Sequence, residues 1–225
     1  MRLKSALAVL SLSFVCLVSR ATLAETIQLT GTIGGSTDGV EVYPYQFTIT
    51  GPSGTVKNVD MSCLSFDREI TIGETWLVDA VNVASITSSL DGETETAYRE
   101  DAWLFNQYGT AAGTNSEIQF AIWDIMDPSG VSGLGGFDAV AKSLVTQAAA
   151  HAGTLPASYY ANDLVYIPDA SDSKDWTDGQ PQIFMVSPPA VTAEPSSLML
   201  LGTGLLGAVG MLRRRAHMAQ PIPVK

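Results

Sequence analysis

Two side chains in this chain could react with each other. Cys63 carries a thiol and Gln119 a carboxamide, 56 residues apart. A thiol that adds to an amide and expels ammonia leaves a thioester joining the two side chains. Three conditions must hold: a nucleophilic sulfur, exclusion of water, and an amide held at near-attack distance of roughly 3–3.5 Å. Gln119 lies in Ile118-Gln119-Phe120-Ala121-Ile122-Trp123, which reads as an apolar helix with one amide on it. Trp123 is one turn from Gln119 and would shield it, and Ile122 and Met126 are apolar partners on the same helix. The plainer alternative makes Cys63 a small buried hydrophobe and Gln119 a core amide bonded to backbone.

The elements that must bring this pair together can be read from periodicity. Alternating or β-branched runs predict strands over 27–33, 42–50, 56–66, 69–72 and 74–88. Val59, Met61 and Cys63 share one parity, so the third strand points Cys63 inward. Asp91-Gly92 is a tight-turn signal. The period then changes. Ala102, Phe105 and Tyr108 fall at helical spacing within 98–108, with Gly109 as a stop. Thr114-Asn115-Ser116-Glu117 is a capping box that opens a helix to about Met126. A third helix over 137–152 has Val140, Leu144 and Ala148 on one side and Gly153 as its cap. Closing strands follow at 164–167 and 182–186. Strands, then helices, then strands predict an α+β fold: a β-rich sandwich or barrel body with a helical insert.

Charge is sharply partitioned. All 23 Asp and Glu lie between Glu25 and Glu194, against five Lys and Arg, a net −18 for that segment. Such a body has no basic footprint for nucleic acid and repels anionic lipid. Residues 1–24 read as a secretory signal: Arg2 and Lys4, an apolar run from Ala6 to Val18, then Thr22-Leu23-Ala24. Cys16 lies inside that run behind the bulky Val15, which does not suit a lipoprotein site. Cleavage after Ala24 would leave Cys63 as a lone thiol in an oxidising compartment, where cysteines ordinarily pair.

At the other end, residues 195–212 contain no charge and Arg213-Arg214-Arg215 follows. As a helix this length barely spans a hydrocarbon core of roughly 30 Å, with the arginines on the cytoplasmic side. The segment resembles the PEP-CTERM sorting signal of Gram-negative bacteria. Glu194-Pro195, the Leu/Gly span and the arginine cluster are in register, although Ala193 stands where that signal has its first proline. The resemblance implies an exosortase-type membrane peptidase as partner and cleavage near Glu194-Pro195. It also implies an inner-membrane precursor whose body passes to the cell surface or an exopolysaccharide matrix. The expected organisation is a signal at 1–24, a body at 25–187, a linker at 188–194, the sorting segment at 195–215 and a short tail at 216–225.

The body in turn resembles the thioester domains of bacterial surface adhesins. Residues 118–123 match their glutamine motif, apolar-Gln-apolar-apolar-apolar-Trp, at every position. Cys63 and Leu64 match their cysteine motif, but Ser62 stands where that motif has an aromatic residue or leucine. The resemblance implies an internal Cys63–Gln119 thioester that acylates amines or hydroxyls on a surface or matrix polymer. The competing expectation is a non-covalent matrix- or carbohydrate-binding module.

Other candidates are thinner. Asp169, Asp172, Asp175 and Asp178 recur every three residues and could hold Ca²⁺, or form a solvated acidic loop. Trp176, within that loop, is the one aromatic that suits sugar stacking. His151 and His217 have no nucleophile motif beside them. Neither a Gly-x-Ser-x-Gly nor a His-Glu-x-x-His nor a phosphate-binding glycine loop occurs, so no conventional enzyme is expected.

Overall fold

A computed structural model of the chain describes residues 25–52, 54–171 and 181–187. The expected signal peptide, the sorting segment with Glu194, Pro195, Arg213, Arg214 and Arg215, and the residues Asp172, Asp175, Trp176 and Asp178 lie outside them. Among the described residues no helix is long and apolar enough to cross a membrane.

Six strands close a barrel. In chain order they are β1 (Glu25–Thr32), β4 (Tyr45–Gly51), β5 (Gly54–Cys63), β6 (Thr75–Asn82), β7 (Leu164–Pro168) and β8 (Phe184–Val186). Around the barrel the order is β1-β4-β5-β8-β7-β6, with every neighbour antiparallel. Two short strands, β2 (Ser36–Thr37) and β3 (Val40–Glu41), form a separate ribbon. Closure removes the exposed edges that an open sheet would offer to other chains.

Inward side chains of the barrel are large and apolar: Ile27, Leu29, Phe47, Met61, Trp76 and Phe184 are all 2 % exposed or less. Phe47 packs edge-on against both Trp76 and Phe184, at centroid distances of 6.0 and 4.5 Å. Such pairs add to what burial alone contributes.

Between β6 and β7 the chain inserts four helices: α1 (Glu95–Phe105), α2 (Asn115–Met126), α3 (Pro128–Val131) and α4 (Ala139–Ala152). The expected architecture of a β-rich body with a helical insert is therefore the one observed. α1, α2 and α4 pack on one another, and α2 lies against β5. The predicted capping box holds α2: Thr114 Oγ1 accepts from Glu117 N at 3.2 Å, and Glu117 Oε2 accepts from Thr114 N at 2.6 Å. Thr114→Ala is expected to cost about 1 kcal/mol, read as a lowered urea midpoint with unchanged slope.

Three local expectations are corrected. The strand predicted over 74–88 stops at Asn82, whose side chain accepts from Ala84 N at 2.9 Å and starts a 3₁₀ turn at Val83–Ser85. Residues 69–72 join no ladder. In α4 the core face is Ala141, Leu144, Ala148 and Ala152, while Val140 is 38 % exposed. The Asp138 cap sets that phase by accepting from Val140 N and Ala141 N.

Candidate functional site

The site forms where the last two residues of β5 meet α2. Ser62 pairs with Met185 and Cys63 with Phe184 in β8, so the backbone there is fixed by the ladder. Ser62, Cys63 and Gln119 are all fully buried, and Trp123 is 2 % exposed. The first turn of α2 is held by its capping box, and Gln119 follows directly in the next turn.

Gln119 reaches across to β5 with its whole carboxamide. Its Nε2 donates to the Cys63 carbonyl at 2.6 Å. Its Oε1 accepts from Ser62 Oγ at 3.1 Å and from the Tyr108 hydroxyl at 3.2 Å. Ser62 Oγ and the Tyr108 hydroxyl are themselves 3.0 Å apart. The two candidate residues of the sequence are thus neighbours, joined through the Cys63 backbone carbonyl rather than through the thiol.

The Cys63 thiol donates to the Ser65 carbonyl at 3.2 Å. Burial pushes the thiol up to about 12, against smaller opposing pulls from the Trp123 indole, the Ser65 backbone and Arg68. The Trp123 N–H faces the sulfur closely enough to favour a thiolate, yet makes no bond of ordinary hydrogen-bond geometry. Desolvation prevails, so the free sulfur is a thiol at neutral pH. Trp123 also packs edge-on against Phe66 and Phe120, at 5.0 and 5.3 Å, which closes the site on that side.

Tyr108 comes from the turn after α1, where Gly109 takes φ 74°, a conformation that favours glycine. Its ring stacks on Tyr43 at 3.7 Å and meets Phe105 edge-on at 5.6 Å. The residue as a whole is half-buried, but its hydroxyl is enclosed, and burial holds it well above the ordinary phenol range. It is a hydrogen-bond donor across the physiological range.

Two clefts are lined by residues next to the pair, though by neither Cys63 nor Gln119. One, of about 410 Å³, runs past Leu64 and Ser65 and gathers Asp67, Asp91, Glu93 and Asp127 around Arg68. The other, of about 560 Å³, is lined by Trp123, Tyr45, Phe66 and the carboxylates Glu41 and Glu69. Arg68 is common to both and pairs with Asp91 at 2.8 Å. Either cleft brings solvent to the residues that cover Cys63.

Three comparisons with known proteins bear on the chain. No known family's sequence profile matches it, and no curated relative does. Among solved structures, it is similar to the N-terminal thioester domain of a surface protein from Clostridium perfringens. That match has a TM-score of 0.43 at 10 % identity and covers 73 % of this chain and 98 % of that one. It is also similar to the N-terminal thioester domain of the fibronectin-binding protein SfbI from Streptococcus pyogenes. There the TM-score is 0.40 at 8 % identity, covering 75 % of this chain and 95 % of that one. Likeness at this level carries nothing over to this chain, whose own residues must make the case.

The calcium expectation keeps only one described residue. Asp169 accepts from Ser171 N at 2.8 Å, and that bond holds its carboxyl below the usual range. Among the described residues no three His, Cys, Asp or Glu side chains converge on a point where a metal ion could sit. Ser62 and Tyr108 are site residues that the sequence motifs did not single out. Tyr108 had a signal, its place on the helical stripe with Ala102 and Phe105; Ser62 had none beyond its position before Cys63.

Proposed function

We propose that this chain is an exported surface or matrix protein whose barrel carries an internal Cys63–Gln119 thioester for covalent attachment to amines or hydroxyls of a partner polymer. The observation that supports it is the hydrogen bond from Gln119 Nε2 to the backbone carbonyl of Cys63 at 2.6 Å, which holds the amide beside the cysteine with both residues at zero exposure. In the reaction, Sγ bonds to Cδ of Gln119, the Cδ–Nε2 bond breaks, and the thiol proton leaves with the nitrogen as ammonia. The dry surroundings protect the product from hydrolysis until a partner nucleophile arrives along a flanking cleft. Each molecule acts once, as a binding module rather than a turnover enzyme. The terminal segments supply the address: export by the signal at 1–24, then sorting by an exosortase-type peptidase through Glu194-Pro195, the apolar span and Arg213-Arg214-Arg215.

A second reading is favoured by one specific observation. Gln119 already has partners for both ends of its amide, which is how a purely structural core glutamine behaves. The body would then be a non-covalent matrix module.

Intact mass separates the two. The exported protein is expected ~17 Da below its sequence mass, and methylamine is expected to add ~31 Da at Gln119. A full sequence mass, with Cys63 alkylated as soon as the chain is denatured, would refute the thioester and leave the structural reading.

A further inference from the structure

The oxygen of the Gln119 amide sits in a cluster with fewer protons than contacts. Ser62 and Tyr108 bring one hydroxyl hydrogen each. Three close contacts exist among Ser62 Oγ, the Tyr108 hydroxyl and Gln119 Oε1, at 3.0, 3.1 and 3.2 Å. Two hydrogens cannot fill three such contacts at full strength. While Oε1 is a neutral amide oxygen, one hydrogen can serve the Ser62–Tyr108 contact. Once Oε1 carries negative charge, both hydroxyls can turn their hydrogens onto it with no movement of heavy atoms. The cluster therefore gains more from an oxyanion than from the resting amide, which is the condition for accelerating a step rather than merely binding its reactant.

Both hydroxyls are held for this task. Ser62 is locked by the β5–β8 ladder, opposite Met185. Tyr108 is clamped between Tyr43 and Phe105. At the other end of the amide, the Cys63 carbonyl accepts from Nε2 and so orients the nitrogen that must leave. The amide is thus oriented at both ends, with its carbonyl oxygen facing two donors and its nitrogen facing an acceptor.

We propose that the Ser62 and Tyr108 hydroxyls are catalytic residues that form the oxyanion site of the Cys63–Gln119 thioester, serving both its formation and its opening. This rests on the thioester reading above. In formation, Sγ adds to Cδ and the carbonyl electron pair moves to Oε1, where the two hydroxyls hold it. The pair then returns to re-form the carbonyl as the C–N bond breaks, and ammonia departs with the thiol proton. In opening, an amine adds to the same carbon and the charge develops on the same oxygen. The sulfur then leaves and takes up a proton from the amine, so an amide forms and the thiol is restored. One pair of donors serves both directions because the oxygen does not change place. Ser62, which breaks the adhesin cysteine motif, thereby has a role as hydroxyl donor that a phenylalanine, tryptophan or leucine could not fill.

The test uses the full-length chain made by cell-free synthesis, followed by intact mass over time and then treated with methylamine. The wild-type chain is expected to lose ~17 Da and to incorporate methylamine at a measurable rate. Ser62→Ala and Tyr108→Phe are each expected to slow both steps at least tenfold, where loss of a single oxyanion donor typically costs about 10²–10³-fold. Ser62→Thr, which keeps a hydroxyl, is expected to restore most of the rate. Circular dichroism and the urea midpoint of each variant show whether it folds, and Tyr108→Phe tests the pair in a variant that keeps the stacked ring. A wild-type chain with no mass deficit removes the thioester and this inference together. A wild-type deficit formed and opened at unchanged rates in folded Ser62→Ala and Tyr108→Phe overturns the inference alone, and so does a Ser62→Thr chain as slow as Ser62→Ala.

Discussion

Gln119→Ala is expected to abolish amine capture completely and to lower stability by roughly 2–4 kcal/mol. The chemical loss follows from removing the carbonyl carbon that the proposed thioester requires. The stability loss has two sources. A cavity opens between β5 and α2, where Ser62, Cys63 and Trp123 are buried. The Ser62 and Tyr108 hydroxyls also lose the oxygen they share, though they keep each other at 3.0 Å. Gln119→Glu separates these effects. It keeps the shape, and when protonated its O–H can donate to the Cys63 carbonyl in place of the lost N–H. It contains no nitrogen to expel, so it is expected to fold in mild acid, to show no mass deficit, and to capture no methylamine at any pH. Intact mass and urea unfolding of both variants check this. Methylamine incorporated by a folded Gln119→Glu chain would mean that another carbonyl is the acyl donor.

The parts of the site differ in how plainly the sequence displayed them, and the difference is physical. Thr114 and Glu117 announce the start of α2 because a capping box is a local device, complete within four residues. The Asp91-Gly92 turn is equally local, and the two residues take the positive φ values, 50° and 91°, that such a hairpin needs. Cys63 could be pointed inward from parity alone. Ser62 and Tyr108 could not be joined to Gln119 this way. Their meeting spans 46 residues and depends on how the turn after α1 swings the Tyr108 ring onto Tyr43. The over-long strand prediction at 74–88 has a related cause. Val81, Val83 and Ile86 continue a β-branched pattern, but a single Asn82 side chain captures the Ala84 backbone N–H and outweighs it.

An exported cysteine without a partner is exposed to oxidation in transit. Burial that raises its pKa to about 12 slows every reaction of the thiolate, oxidation by small oxidants and attack on the Gln119 amide alike, so the proposed attack depends on the held geometry of the amide rather than on an activated sulfur. The same burial makes a thioester, once formed, slow to hydrolyse. Under the proposed function, placing Cys63 at zero exposure beside Trp123 would shield the sulfur both as a free thiol and as a thioester.

Asp101→Asn is expected to raise stability at pH 7.5 by on the order of 1–3 kcal/mol and to flatten its dependence on pH. Asp101 lies in α1 at zero exposure, and among the described residues neither carboxylate oxygen has a hydrogen-bond partner. Its neighbour Arg99 is engaged with Glu95 at 2.6 Å. Burial, reinforced by Glu100 and Glu93, holds its carboxyl well above the usual range. The sign follows from proton counting. Above about pH 4 an unfolded aspartate releases its proton. The folded one retains it, so the unfolded state binds fewer protons and stability falls as pH rises toward the folded value. The contribution is complete below about pH 4 and drains away above it. Glu93, Glu100, Asp124 and Asp163 are shifted in the same direction, so the wild-type slope has the same sign from several sources. The measurement is therefore a difference: urea midpoints at pH 4.5 and 7.5, wild type against Asp101→Asn. The variant should gain at pH 7.5 and change little at pH 4.5. A uniform loss at both pH values would mean that the Asp101 carboxyl is bonded in the native protein and that the cost assigned to its burial is wrong.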